Sequence, residues 1–471
     1  MLDFSDFPSS EKASKFFEEF SKIPRGSGNT KGIADYLVNF AKERNLEVIR
    51  DESDNVIIRK PATAGYEDRP GVIFQGHTDI VALKTPDCHI DMAKEGLQLY
   101  RDGDLLRARG TTLGGDDGVA MAYAMAILDS DDIAHPDFEA VFTSDEETGL
   151  IGATALDASL LKGRLLINID SDEEGIFTVG CAGGARVDIS LPVKTKTHIG
   201  YIYTLTVSGL RGGHSGVEIH KNRANAIKTV AEILSRLKKP RIANATGGSA
   251  DNAIPSNATV TFVTKSSILE ISDIVNDISD SLPEHGAKFN IEMNLSSAKI
   301  LSVEDSENII SLIKEMPNGV TKMSEDIDGL VETSLNMGII KLDKKALDLT
   351  ISVRSGVGEE KAKLIETIKS VAGSHGADVG VRGEYPAWEY RKESHLRDVM
   401  CKVYRDMYGK DATVVTIHAG LECGIFSDKI DGLDCVSIGP DNKDIHTPEE
   451  RLSLSSFNRV YEYLIEVLKN I

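Results

Sequence analysis

Val72-Ile73-Phe74-Gln75-Gly76-His77-Thr78-Asp79 is a short apolar run that breaks into glycine, histidine and aspartate. Ala140-Val141-Phe142-Thr143-Ser144-Asp145-Glu146-Glu147-Thr148-Gly149 repeats that plan, and Leu165-Leu166-Ile167-Asn168-Ile169-Asp170 repeats it again. Apolar runs this short, rich in β-branched and aromatic residues, read as buried strands. Val56-Ile57-Ile58 is a fourth. Residues 119–128 and 153–161 between them carry helical periodicity. Upstream, Phe16, Phe17, Phe20 and Ile23 recur at helical spacing, as do Ile33, Tyr36, Leu37 and Phe40 after the turn Gly26-Ser27-Gly28-Asn29. Strands alternating with helices predict an α/β layer whose central sheet is mostly parallel and flanked by helices.

Near residue 185 the texture changes. Residues 186–193 and 201–207 alternate like half-exposed antiparallel strands. Helices are expected at 222–237, 268–282, 309–315 and 359–371, and strands at 258–264, 289–293 and 347–353. This α+β pattern suggests an open-faced sandwich with two similar halves. From about Tyr385 the first style returns, with helices at 395–408 and 455–468 and strands at 413–417 and 435–438. The economical reading is one α/β domain in two parts, 1–184 and 386–471, interrupted by an inserted α+β domain, 185–385.

The chain has 471 residues, room for two or three domains. Lys and Arg total 53 against 74 Asp and Glu, a formal net charge of −21. Such a surface repels phosphate backbones and anionic lipid, so neither nucleic acid nor membrane is an expected partner. No apolar run approaches the roughly 18–20 residues of a membrane span. The acidic, amphipathic N-terminal stretch does not resemble a signal peptide. The five cysteines, Cys88, Cys181, Cys401, Cys423 and Cys435, are scattered and form no C-x-x-C. They point to a reducing cytoplasm rather than a disulfide framework.

The acidic and histidine residues gather where predicted strands end: His77 and Asp79, then Glu146 and Glu147, then Asp170. Leu113-Gly114-Gly115-Asp116-Asp117-Gly118 precedes a helix, and Ile445-His446-Thr447-Pro448-Glu449 can join from the C-terminal segment. Ligands of open α/β sheets bind outside the carboxyl ends of the strands. Unpaired carboxylates crowded there would repel one another, and divalent metal removes that penalty. Two metals about 3.5–4 Å apart need a bridging carboxylate. Taken singly, each residue has a plainer reading. His77 could cap or pack, Asp116-Asp117 could be an N-cap pair, Glu146-Glu147 could be solvated surface, and Asp170 could cap a loop.

Together with Ile23-Pro24-Arg25, Ser27-Gly28, Gly212-Gly213-His214-Ser215-Gly216 and His446-Thr447-Pro448-Glu449-Glu450, these motifs resemble the co-catalytic metallopeptidases that include aminoacylases, tripeptidases and carnosinase. The resemblance runs in order from about residue 20 to 450. It implies two divalent ions per chain, Zn2+ with Mn2+ or Co2+ as alternatives. His77 and Asp170 would hold one ion and Glu147 and His446 the other, with Asp116 bridging. It makes Asp79 the carboxylate that orients His77, Glu146 the general base, and the Asp116–Asp117 peptide cis.

The inserted domain would then be a lid and dimerisation module of a homodimer. His214 would steady the oxyanion in a neighbouring subunit's site. Asn252 in Asp251-Asn252-Ala253-Ile254-Pro255 and Arg354 would contact a small peptide, Arg354 at its carboxylate. His418, Gly420 and Glu422, in His418-Ala419-Gly420-Leu421-Glu422-Cys423-Gly424, match a loop of the branch that cleaves unblocked dipeptides, X-His types such as carnosine among them. Glu422 would receive the substrate ammonium. For these residues a tight turn, ordinary lid surface or a buried cap are the plainer readings. Two rival functions stand beside the dipeptidase: an N-acyl-amino-acid deacylase or tripeptidase on the same site, and a non-catalytic peptide-binding protein.

Overall fold

The computed structural model describes residues 2–471. Two compact units divide it. One comprises the chain up to Cys181 with Tyr390–Thr416 and Leu421–Ile471; the other comprises Ala182–Glu389 with Ile417–Gly420.

The first unit is built on an eight-stranded sheet. Its order is Glu47–Arg50, Val56–Lys60, Phe138–Thr143, Val72–His77, Leu165–Asn168, Asp434–Ser437, Ile176–Cys181 and Thr413–Ile417. Val72–His77 runs parallel to both neighbours, and Asp434–Ser437 runs parallel to Leu165–Asn168. Antiparallel pairings flank that centre. The α/β class holds, with a sheet that is parallel in the middle and mixed overall. Every residue of Val72–His77 and Phe138–Thr143 is buried, as strands covered on both faces must be. Helix Gly115–Leu128 is apolar all round and buried along its length from Asp117 onward, so it lies inside the core.

Helices His395–Tyr408 and Leu454–Asn470 end as capping chemistry dictates. Ser394 and Ser453 accept from backbone N–H groups of the first turn, and Gly409 closes the former helix with φ +67°. The expected helix at 153–161 is instead Ile151–Ala155 followed by a 3-10 turn, Ala158–Leu160. Asp157 breaks it by taking an extended backbone and accepting from Ser159 N.

The second unit carries a nine-stranded sheet whose paired neighbours all run antiparallel. It contains two copies of one βαββαβ plan. The first copy runs Lys196–Ser208, Ala226–Ser235, Arg241–Gly247, Ala258–Val263, Ile268–Ser281 and Lys288–Ile300. The second begins with Gly183–Pro192, before the first copy. It resumes with Val303–Glu315, Val331–Leu342, Ala346–Ser355, Gly358–Ser374 and Asp378–Tyr385. The copies join where Arg241–Gly247 pairs with Val331–Leu342. Helix Ala226–Ser235 starts later than expected because Asn222 is left-handed (φ +48°) and Asn225 caps Ile227 and Lys228.

Candidate metal centre

Register explains why the ligand-type residues meet. His77 pairs with Thr143 and Gln75 pairs with Asn168, so three adjacent parallel strands end together. The chain then releases Asp79, Glu146–Glu147 and Asp170 beyond that edge. Asp116 enters at the start of Gly115–Leu128, after Gly114 with φ +67°, and the Asp116–Asp117 peptide is cis. His446 sits in the turn between Asn442–Lys443 and Arg451–Ser453, itself left-handed at φ +60°.

Asp116 offers one oxygen to each of two histidines. Its Oδ1 is 2.9 Å from His77 Nε2, and its Oδ2 is 3.0 Å from His446 Nε2. Asp170 Oδ1 lies 3.7 Å from His77 Nε2, and Glu147 Oε1 lies 3.0 Å from His446 Nε2. Two triads follow, His77–Asp116–Asp170 and Asp116–Glu147–His446, in each of which the ligand atoms lie within 4.8 Å of one another. Glu146 completes a third triad with His77 and Glu147.

The donor set fits metal. Glu147 Oε1 is buried and makes no hydrogen bond, although His446 Nε2 is near. A buried carboxylate oxygen without a hydrogen bond, 3.0 Å from an imidazole nitrogen, is accounted for by a cation that both ligate. The charge balance says the same. Burial opposes charging the His77 ring, yet the Asp116, Asp170 and Asp79 carboxylates around it outweigh this and hold its pKa well above the ordinary value. The Asp116 and Glu147 carboxylates beside it push His446 up to about 10. Burial would raise Asp116, but its bonds to both histidines carry it far below the carboxylate range. Burial, then the Asp116 charge, pushes Asp170 up to about 7. Burial also raises Glu146, with Asp170, Glu422 and Glu147 adding and His77 opposing. Imidazolium protons thus balance the carboxylates, and ligation by neutral imidazole displaces such protons.

The Asp79 carboxylate does not bond the His77 ring as expected. The atom at hydrogen-bond distance from His77 Nδ1 is the Asp79 main-chain oxygen, at 3.1 Å, with the carboxylate at 3.6 Å. The carboxylate instead accepts from Ser27 Oγ at 2.7 Å, Glu146 N at 3.0 Å and Glu147 N at 3.3 Å. It holds the turn that carries Glu146 and Glu147.

Glu422, expected at the substrate ammonium, has no exposed surface. Its Oε2 accepts from Gln75 Nε2 at 2.5 Å and Thr143 Oγ1 at 2.6 Å, while Asn168 Nδ2 donates to Gln75 Oε1 at 2.8 Å. Burial pushes its carboxyl up to about 7, and Oε1 is buried without a partner. This network ties together the same three strand ends. Sequence reading missed Gln75, Thr143 and Asn168, although each lies two or three residues before a residue it did single out.

The second unit brings His214, Arg354, His418 and Gly420 into one neighbourhood. His214 Nδ1 accepts from Gly216 N at 3.1 Å and Val217 N at 3.2 Å, which leaves Nε2 as the protonated, donating nitrogen. Burial, then the Arg354 charge, lowers its pKa. His418 Nε2 is 2.7 Å from Ser334 Oγ, and burial followed by Arg354 lowers it to about 3. Arg354 Nη1 donates to Tyr385 Oη at 3.1 Å, and its Nε is buried without a partner. The same Tyr385 ring would meet a Cβ at Gly420 at 2.8 Å. Asn252 is exposed; its main-chain oxygen accepts from Ser215 N, beside the His214↔Ala253 pairing.

Comparison with known proteins places this arrangement among peptidases. A model of Peptidase family M20/M25/M40 matches residues 73–470. The chain is 34% identical over 467 residues to the cytosol non-specific dipeptidase of Escherichia coli, covering 97% of this chain and 96% of that protein. The crystal structure of aminoacylhistidine dipeptidase from Vibrio alginolyticus superposes with a TM-score of 0.90 at 34% identity, covering 98% of this chain and 96% of that one. A tripeptidase from Staphylococcus aureus shares the fold at a TM-score of 0.58 and 18% identity, over 98% of each chain.

Proposed function

The chain belongs to Peptidase family M20/M25/M40, and from that premise we propose that it is a dinuclear metallodipeptidase of unblocked dipeptides, X-His among them. One observation carries the reading: Asp116 presents its two oxygens to two histidines, each in a ligand triad of its own. His77 and Asp170 would hold one ion and Glu147 and His446 the other, with Zn2+ the first choice and Mn2+ or Co2+ compatible with the same donors. When bound, the ions acidify a water and polarise the scissile carbonyl.

The residues of the chain do the rest. Glu146 takes the proton of the attacking water and returns it to the leaving amine. Asp79 fixes the turn that carries Glu146, through two backbone N–H groups. His214, with Nε2 as its donor, hydrogen-bonds the oxygen that gains charge, acting in the neighbouring subunit of a homodimer. Arg354, with an unpartnered Nε, takes the terminal carboxylate. Asn252, His418 and Gly420 line the peptide. Exposed Ile199, Tyr201 and Leu295, at 78%, 59% and 72%, support a subunit contact at the outer end of the paired strands Lys196–Ser208 and Lys288–Ile300. The names of the two 34%-identical relatives support the substrate class. Scattered cysteines that form no C-x-x-C and the name of the cytosolic relative support a cytoplasmic setting. Among the described residues no helix is long and apolar enough to cross a membrane.

Metal analysis beside a peptide panel tests the reading. Two ions per chain, loss of hydrolysis on chelation and recovery on metal addition are expected, with free dipeptides cleaved and N-blocked ones spared. Preference for N-acyl amino acids or tripeptides would move the chain to another branch. Tight peptide binding without turnover in metal-replete protein would leave a binding protein.

A further inference from the structure

We propose that Glu450 and Arg25 are positioning residues, two jaws of a clamp on the Leu113–Asp116 turn that sets the spacing of the metal ligands. This rests on the dinuclear reading above. Glu450 is 2% exposed and accepts from four successive backbone N–H groups. Its Oε2 takes Leu113 N at 2.8 Å and Gly114 N at 2.9 Å; its Oε1 takes Gly115 N at 2.8 Å and Asp116 N at 3.4 Å. Asn442 Nδ2 adds a fifth donor at 3.2 Å. From the other side, Arg25, also 2% exposed, donates from Nη2 to Gly114 O at 2.7 Å. Its Nη1 donates to Thr78 O at 2.8 Å and Asp79 O at 3.3 Å.

The glycines of the turn are shaped around these jaws. A Cβ at Gly114 would lie 2.7 Å from Arg25 Nη2, and one at Gly118 would lie 2.8 Å from the same atom. A Cβ at Gly115 would lie 2.7 Å from Asn442 Nδ2. Glycine in Gly-Gly-Asp-Asp-Gly thus stands where Arg25 and Asn442 approach, with Ile80 crowding Gly114 and Phe17 crowding Gly118 as closely.

A carboxylate over the first N–H groups of a helix satisfies donors that otherwise lack partners. Capping alone would need no particular place in the chain for that carboxylate. Here it stands four residues after His446, on the same turn, so one short segment both supplies a ligand and grips the backbone of Asp116. Arg25 likewise ties that backbone to Thr78 and Asp79, immediately after His77. Both Asp116–histidine distances are thus set through the main chain.

The test reads metal affinity in folded protein, where a mere cap would register only as lost stability. Glu450→Gln keeps the shape but turns an amide NH2 against two of the N–H donors. Arg25→Lys keeps the charge but cannot span three carbonyls. Each variant, and wild type, is titrated with Mn2+ while the free ion is followed by electron paramagnetic resonance, with circular dichroism as the check on folding. Wild type should bind two Mn2+. Each folded variant should bind both ions about 10–100-fold more weakly, the range for partners that orient ligands, because Asp116 serves both. Wild-type affinity in the folded variants overturns the clamp and leaves the dinuclear reading standing. Failure of wild type to bind two ions overturns the reading on which the clamp rests. Should Glu450→Gln and Arg25→Lys not fold, Asn442→Ala, which removes a single donor to Glu450, decides: a several-fold loss supports the clamp and an unchanged affinity overturns it.

Discussion

Asp79→Asn separates two roles for a carboxylate that has no exposed surface. The side chain accepts three hydrogen bonds, and two of them come from the main chain of Glu146 and Glu147. Asparagine has one acceptor oxygen. Placed at Oδ1, it keeps the 3.0 Å bond from Glu146 N, now to a neutral acceptor. Its NH2 then faces Glu147 N–H, donor against donor, while the Ser27 hydroxyl can turn to accept. One buried N–H is left unpaired, at about 1–3 kcal/mol, and one charge-assisted bond becomes neutral, at about 1 kcal/mol. The loss is about 2–4 kcal/mol. If it falls on the placement of Glu146, kcat drops about 30–1000-fold, at roughly 1.4 kcal/mol per tenfold. The assay is kcat and KM on an unblocked dipeptide at saturating metal, with bound metal measured on the same sample. The ion of the His77–Asp116–Asp170 triad should remain, because His77 Nδ1 bonds the main-chain oxygen of Asp79, which the substitution keeps. Loss of that ion with normal turnover of the loaded fraction would refute this reasoning and return the Asp79 carboxylate to the His77 ring.

Glu146→Gln should retain both ions while kcat falls about 10²–10⁴-fold; loss of metal would mean that Glu146 rather than Glu147 is the ligand. Mixed with His214→Ala, it should regain activity on subunit exchange, since each heterodimer then holds one complete site. No recovery despite proven exchange excludes action in trans. His418 predicts acid sensitivity. Its pKa falls from 6.5 unfolded to about 3 when folded, by burial first and then Arg354. Between those values only the unfolded chain takes up the proton, so stability is complete above pH 6.5 and declines as pH falls. The decline is about 1.4 kcal/mol per unit, or about 2 kcal/mol by pH 5. Denaturant titrations of wild type and His418→Asn across pH 5–7 should differ in slope; parallel profiles would exclude His418 as the source.

Much of the architecture was legible because its causes are local. Buried strands such as Val72–His77 announce themselves as continuous apolar runs, and helix His395–Tyr408 carries its own serine cap and glycine stop. The strands that escaped notice lack such signals. Arg241–Gly247 mixes arginine, asparagine, alanine and glycine, and Val331–Leu342 loses its alternation at a register shift between Met337 and Ile339. Their pairing is paid for by partners far away in sequence, which no window of the chain contains.

The site divides in the same way. His77, Asp79, Asp116, Glu146, Glu147, Asp170 and His446 could be named from the chain alone, because strand ends and helix starts are local events and the residue types limit the chemistry. Which atom meets which could not. The Asp79 carboxylate turns to Glu146 N and Glu147 N because its own main-chain oxygen already occupies His77 Nδ1. Glu450 reads as one more acidic residue of an exposed turn until folding carries it across more than 330 positions to Leu113 and Gly114. Hydrogen bonds act over about 3 Å whatever the distance along the chain, so residue identity limits what chemistry is available here, and only the folded arrangement decides which groups meet.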